Sequence, residues 1–189
     1  MKVVATDASE AQIASAHAHP QIEYRVAPAE SSRLAAAAVD LITVAQALHW
    51  FDIDRFLDEA CRVLKPGGVL AVWCYERCRT NEACNTIIEE VFDEVEAYWP
   101  PERDIVEDGY RSITLPLTSI DVEQFDMQAD WSADAMLAYM RTWSASQRYM
   151  QSNGRDPTAP YAQRLKAAWG DGPRTVSWQL RLKAGRAPA

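Results

Sequence analysis

The stretch Asp40-Leu41-Ile42-Thr43-Val44-Ala45, a polar-capped segment from Asp54 to Val63, Lys65-Pro66-Gly67-Gly68, and Val69-Leu70-Ala71-Val72-Trp73-Cys74-Tyr75 reads as strand, helix, turn and strand. The last run is apolar throughout, the pattern of a strand covered on both faces. Asp54 stands where an N-cap is wanted, since its carboxylate can take an orphan backbone N–H of the first turn. Pro66 cannot continue a helix, and glycine tolerates the positive φ of a tight turn. Two buried strands joined by one crossover helix call for a parallel sheet with helices packed on it.

Working outward, Val3-Val4-Ala5-Thr6 is a short β-branched run that ends at Asp7, again a buried parallel strand. An alanine-rich helix follows from Ser9-Glu10 to about His17, with Ser9 or Asp7 as its cap. Residues 22–26 form a second strand, Pro28 interrupts it, residues 29–32 are loop, and residues 35–38 suit a turn of helix. The pattern changes after Tyr75. Residues 85–99 are an amphipathic helix with Ile87, Ile88, Val91, Val95 and Tyr98 on one face, stopped by Pro100-Pro101. Residues 123–131 alternate in part and are assigned as a strand. Helices are expected from Ser132 to about Trp143, over 145–150 and over 161–169, with Gly154 and Gly170 at two of their ends. Residues 175–182 alternate as a last strand, and 187–189 are expected to be a disordered tail.

A chain of 189 residues suits one domain with a real core, here taken as residues 1–186 divided near residue 80. The net charge of -8 repels phosphate backbones, so nucleic acid is not expected as a partner. No run of 18 apolar residues exists to span a membrane, and the opening residues do not read as a signal peptide. A cytoplasmic setting follows as an expectation, with Cys61, Cys74, Cys78 and Cys84 reduced. The spacing of the last three fits no zinc pattern, so they are read as small apolar filler and no metal is expected.

The carboxyl ends of parallel strands are where ligands bind in open α/β sheets. Asp7 lies there, and its carboxylate can accept both hydroxyls of a ribose; equally, it can cap the helix beside Ser9. The context of Asp7 resembles the second strand and helix of class I S-adenosylmethionine-dependent methyltransferases. Three further segments, Pro28-Ala29-Glu30, the run from Asp40 through His49-Trp50-Phe51-Asp52, and Arg62-Val63-Leu64-Lys65-Pro66-Gly67-Gly68, resemble later segments of that family in the same order. The resemblance implies a Rossmann-like α/β sheet, mostly parallel with an antiparallel last strand. It further implies S-adenosyl-L-methionine as cofactor, with Asp7 on the ribose, Ala8, Ala29 and Glu30 around the adenine, and Gln46, Ala47 and His49 on the methionine side. Residues 1–80 would be the cofactor half and 81–186 the substrate side. Ala-Leu-His49-Trp50-Phe-Asp, Tyr110-Arg111 and Trp143-Ser144-Ala145 are similar to methyltransferases akin to trans-aconitate methyltransferase.

Within that frame His49 is a candidate general base, but the favoured role is shaping the pocket with Trp50, because methyl transfer to a ready nucleophile needs placement more than proton removal. Arg111 and Arg141 are candidate forks for a substrate carboxylate, against the ordinary role of surface or helix charge. Trp50 is also a candidate on the substrate side, Trp143 is assigned to the substrate side or to packing, and Trp131, Trp169 and Trp178 to packing.

The family's sheet opens with a further strand and a glycine-rich loop, which no segment before Asp7 supplies. That strand would lie between residues 3–6 and 40–45. The expectation is therefore an upstream start, a fragment, or direct pairing of the two flanking strands, with the first preferred. The expected activity is methyl transfer from S-adenosylmethionine to a small molecule, a carboxylate among the candidates. The alternatives are a non-catalytic remnant of the family and, further off, a nucleotide-dependent oxidoreductase. The oligomeric state is left open.

Overall fold

The computed structural model describes residues 2–75, 77–123 and 125–189, and the chain divides into two compact units. The first comprises Met1–Cys74, Tyr110–Glu123 and Leu182–Ala189; the second comprises Tyr75–Gly109 and Gln124–Arg181.

In the first unit β1 (Val3–Asp7) and β2 (Ile22–Val26) pair in parallel, with Asp7 opposite Val26 at their carboxyl ends. Between them α1 (Glu10–Ala14) is capped by Ser9, whose hydroxyl accepts the Gln12 N–H at 3.3 Å. The helix is shorter than the alanine run suggests. It buries no side chain, and the Ser15 hydroxyl donates to the Ala11 carbonyl at 2.9 Å, which favours local bonding over helix extension. Residues 35–38 hold no helical turn, and Ala37 has a positive φ of 50°.

Next come β3 (Val39–Ala45), a 3-10 turn (Leu48–Trp50), α2 (Ile53–Val63) and β4 (Leu64–Tyr75), with β3 and β4 parallel. The cap of α2 is Asp52 rather than Asp54: its carboxylate accepts the Arg55 N–H at 3.3 Å. Asp54 falls in the first turn, where an acid is favoured by the helix dipole. Phe56, Leu57, Ala60 and Val63 form the buried stripe.

Lys65-Pro66-Gly67-Gly68, expected as a turn ahead of the strand, is instead an irregularity inside it. The ladder steps from Val39–Leu64 to Leu41–Val69, so the intervening residues of β4 bulge outward, with Gly67 at φ +74°. The bulge is tied down by the chain's far end. Ala187 N–H donates to the Gly68 carbonyl at 2.8 Å and Gly67 N–H to the Pro188 carbonyl at 3.1 Å, so 187 and 188 are bonded rather than free.

Among the described residues β1 and β2 make one sheet, while β3, β4, β7 (Arg174–Arg186) and β5 (Thr118–Ile120) follow in order in another, with β6 (Phe125–Trp131) also on β7. Both β5 and β6 run antiparallel to β7. The mostly parallel α/β architecture is the one expected, with β7 longer than residues 175–182 and β5 an addition too short to show a period. Direct pairing of β1 with β3 is not adopted among the described residues. Leu41 of β3 is 53% exposed and Val26 of β2 47%, as apolar residues of parallel strands are when a flank lacks cover.

In the second unit α3 (Glu82–Glu94) begins earlier than expected because Asn81 caps it, accepting the Cys84 N–H at 2.8 Å. Single 3-10 turns at Glu96–Tyr98 and Pro101–Arg103 lead into α4 (Asp104–Glu107). Gln124, in the expected 123–131 strand, lies outside the described residues. After β6 come α5 (Ala133–Thr142), α6 (Ser144–Asn153) closed by Gly154 at φ 66°, and α7 (Ala162–Trp169). Of the expected face, Ile87, Ile88 and Val91 pack into a core with Met136, Leu137 and Met140 of α5, Leu165 and Trp169 of α7, and Val176 and Trp178 of β7, whereas Val95 and Tyr98, beyond the end of α3 at Glu94, pack with Ala145 and Tyr149. Full burial of such side chains contributes about 1.5–3 kcal/mol each, so this core carries much of the unit's stability.

Candidate functional site

At the carboxyl end of β1 the Asp7 carboxylate accepts the Ser9 N–H at 2.7 Å. The two roles left open by the sequence thus separate. Ser9 caps α1, and Asp7 holds the turn ahead of it with one oxygen. A carboxylate has acceptor sites on its other oxygen as well. Beside it, Ala27 N–H donates to the Asp7 carbonyl at 3.0 Å, and residues 28–31 turn through a bond from Ser31 N–H to the Pro28 carbonyl at 3.1 Å. Ala29 and Glu30 ride on that turn, and Ala8 is exposed at the start of the Asp7 turn.

Glu30 reaches across to the loop after β3: its carboxylate accepts the Asp52 N–H at 2.8 Å. One more carboxylate, on α2, supports the segment after β2. Glu59, 11% exposed, accepts from the Ser32 N–H at 2.9 Å, the Ser32 hydroxyl at 2.6 Å and Arg62 Nε at 2.7 Å. The Arg62 guanidinium, helped by Ser32 and opposed by burial, holds the Glu59 carboxyl down to about 2.

At the end of β3, Gln46 takes a positive φ of 50° and its N–H donates to the Trp73 carbonyl at 2.8 Å. That left-handed residue turns the chain through Ala47 into the 3-10 turn, which buries Leu48 fully and leaves Trp50 52% exposed. His49 is half-buried, with its ring centroid 4.7 Å from that of Trp50. Its Nδ1 lies 3.1 Å from the Tyr110 hydroxyl.

Tyr110 is fully buried and has φ +59°, an outlier for an aromatic residue. Burial, with a smaller contribution from nearby Cys74, pushes its phenol well above the ordinary tyrosine range; backbone hydrogen bonds from His49 and Leu48 act in the opposite sense. Lys183 clamps the segment, its ammonium donating to the carbonyls of Tyr110 at 2.8 Å, Arg111 at 3.2 Å and Ile113. Neither the Tyr110–His49 contact nor the role of Lys183 can be read from the sequence, because the partners are 61 and 73 residues apart and no periodic pattern links them.

Within the first unit Asp7 thus stands beside the turn bearing Ala29 and Glu30, Glu30 ties that turn to Asp52 after β3, and the Gln46–Ala47–His49 loop sets His49 against Tyr110. Arg111 is exposed beside Tyr110. The other two expected substrate residues belong to the second unit. Arg141 Nε donates to Asp156 at 2.6 Å, so a ligand carboxylate would compete with that pair. Trp143 sits in an aromatic cluster, with centroids 5.9 Å from both Phe92 and Trp99 and 6.0 Å from Tyr139. Among the described residues no three His, Cys, Asp or Glu side chains group as metal ligands would, and no helix is long and apolar enough to cross a membrane.

A family profile described as a methyltransferase domain matches residues 1–72. A Dictyostelium discoideum protein named as a methyltransferase is 30% identical over 172 residues, covering 89% of this chain, and the chain spans 65% of that relative's length. A solved structure named as a type II methyltransferase from Anaeromyxobacter dehalogenans is 40% identical, covers all of this chain, is itself covered over 82% of its length, and superposes with a TM-score of 0.89. A Bacillus halodurans structure, also named as a methyltransferase, is 22% identical with a TM-score of 0.52 over the whole chain and 84% of its own, a likeness of fold.

Proposed function

Because the chain belongs to the class I S-adenosylmethionine-dependent methyltransferases, we propose that it transfers a methyl group from S-adenosylmethionine to a small molecule, with a carboxylate as the favoured acceptor. The observation that carries this reading is the Asp7 carboxylate, fixed by Ser9 at the carboxyl end of β1 and next to the Glu30 turn. The side chains fit the nucleoside end of the cofactor. Asp7 would accept the ribose hydroxyls, Ala8 is small enough to lie flat against the adenine, and Ala29 and Glu30 would border the base. Gln46, Ala47 and His49 would line the methionine side. Bound there, the cofactor supplies an electrophilic methyl on a sulfonium. The protein's part is to orient the partners and exclude water, since in-line displacement gains most from placement. The same reading takes over the expectation of a cytosolic setting, and a small-molecule substrate as partner.

A second reading, a family member that does not bind the cofactor, is favoured by the separation of β1 from β3. Calorimetric titration of this chain with S-adenosylmethionine and S-adenosylhomocysteine decides between them. Saturable binding of both supports the enzyme, and no heat from either on a cooperatively melting protein supports the second reading.

A further inference from the structure

Three side-chain polar atoms of the second unit are buried without a hydrogen-bond partner among the described residues: the indole Nε1 of Trp99, Nε of Arg103 and the hydroxyl of Ser146. The two nitrogens can only donate, and the hydroxyl can donate or accept. The Ser146 hydroxyl could therefore accept from either N–H, yet it bonds neither. Buried donors are normally paired, because leaving one unsatisfied costs free energy.

Contacts tie the three together. The Arg103 guanidinium carbon lies 4.1 Å over the Trp99 ring. That ring stacks on Phe92 at 4.9 Å and stands 5.9 Å from Trp143. Trp143 is the N-cap of α6, and Ser146 lies in the first turn of that helix, fully buried. Trp99 also packs on the cluster that contains Ala145, the residue before Ser146. The ten-residue α6 has neither a side-chain cap nor an acid in its first turn, so no side chain answers the positive end of its dipole. A helical Cβ leans toward the helix N-terminus, which carries the Ser146 hydroxyl toward that same end. Glu107 accepts from Nη2 of Arg103 at 2.8 Å, which fixes the guanidinium and leaves Nε unused. Arg77, 3.6 Å over Phe92, is held in turn by Glu89 at 2.6 Å. With each guanidinium answered by a glutamate, the place offers aimed donors more than net positive charge. That suits a monoanion with two acceptor oxygens better than a phosphate dianion. Trp99 and Arg103 are only half-buried, so the unpaired atoms lie just beneath the surface.

We propose that Trp99 Nε1–H, Arg103 Nε–H and the Ser146 hydroxyl form a binding site for a small-molecule carboxylate at the N-terminus of α6, with the rings of Phe92 and Trp143 beside its apolar part. Arg141 is not needed for this, since its Nε is held by Asp156. That the bound carboxylate is the methyl acceptor rests on the methyltransferase reading above; the binding itself does not.

The test is proton–nitrogen NMR of the indole N–H groups on the full chain, titrated with benzoate and with succinate, and with uncharged benzamide as control. Trp99 is assigned among the seven tryptophans by its loss in Trp99→Phe. The expected result is a saturable downfield shift of the Trp99 indole proton with at least one carboxylate and none with benzamide. Arg103→Lys and Ser146→Ala should each weaken that binding by roughly tenfold or more, the loss of one bond to a charged acceptor. Without ligand, Ser146→Ala should melt at or above the unmodified protein, because it removes a buried hydroxyl that has no partner. A Trp99 signal unmoved by either carboxylate overturns the proposal, as do equal affinity in Ser146→Ala, an equal response to benzamide, or a stronger response to inorganic phosphate. A clearly lower melting temperature for Ser146→Ala also overturns it, since the hydroxyl would then already be satisfied. Calorimetry with S-adenosylmethionine on the same sample keeps the two readings apart: carboxylate binding without cofactor binding retains this site and removes the enzyme, and the reverse removes this site alone.

Discussion

The carboxylate of Glu30 accepts the backbone N–H of Asp52 at 2.8 Å, while the Asp52 side chain caps α2 through Arg55. One acid thereby joins the turn after β2 to the start of the helix after β3. Glu30→Ala leaves that N–H to water and frees the turn, and a hydrogen bond to a charged group contributes about 1.5–3 kcal/mol. The expected result is a lower midpoint in chemical denaturation and weaker S-adenosylmethionine binding. Glu30→Gln keeps an acceptor oxygen and should retain most of both. Equal stability of the alanine and wild-type chains would show that the contact contributes nothing.

Asp7→Ala should weaken S-adenosylmethionine binding by roughly tenfold or more, the equivalent of losing about 1.5–3 kcal/mol of bonds to a charged acceptor. Stability should change little, because the bond from Ser9 is exposed and α1 buries no side chain. Calorimetry and thermal melting separate the two effects. An unchanged dissociation constant removes Asp7 from the ribose.

Glu59 predicts an acid-sensitive contribution. Its folded-state value of about 2 lies below the ordinary glutamate value, so its stabilisation is complete above about pH 4.3 and is lost as pH falls toward 2. The magnitude is on the order of 2–3 kcal/mol. Wild type should exceed Glu59→Gln in melting temperature at pH 6, and the two curves should converge near pH 2. A constant gap across that range would assign the effect to packing instead of charge.

Gly68→Ala tests the bulge in β4. A Cβ at that position would stand 2.9 Å from the Lys65 carbonyl oxygen, a backbone atom with no freedom to move aside. Overpacking of that kind costs about 1–3 kcal/mol. Gly154→Ala meets nothing within 4 Å and pays only for its positive φ of 66°, about 1–2 kcal/mol. Urea unfolding should rank Gly68→Ala as at least as damaging; the reverse order would mean the bulge relaxes easily.

Sequence reasoning reached some of this molecule and stopped for identifiable reasons. The strand–helix–strand order of residues 39–75 and the face of α3 were legible because burial on a strand or helix leaves a local period that the eye can read. The caps Ser9 and Ser132 were read correctly, but that of α2 was missed by two residues, Asp54 for Asp52, because it depends on where the preceding 3-10 turn ends. The Lys-Pro-Gly-Gly segment was read as a free turn because its partners, Ala187 and Pro188, lie at the other end of the chain. Asp7 was singled out by its place at a strand end, and Glu30 and His49 by their resemblance to family segments; that Asp7 turns on Ser9, or that Glu30 holds Asp52, was not visible.

The order of residues by itself determined the parallel α/β class and the position of Asp7 at the carboxyl end of β1, since each depends on local pattern, and it carried the segments that resemble the methyltransferase family. Only the tertiary structure decided which of those residues bond, and to what. Tyr110 meets His49 across 61 residues, and Lys183 holds it there from 73 residues away. Such contacts arise when distant segments are brought to one strand end by the packing of the whole sheet, and a hydrogen bond across that distance leaves no trace in the spacing of either partner.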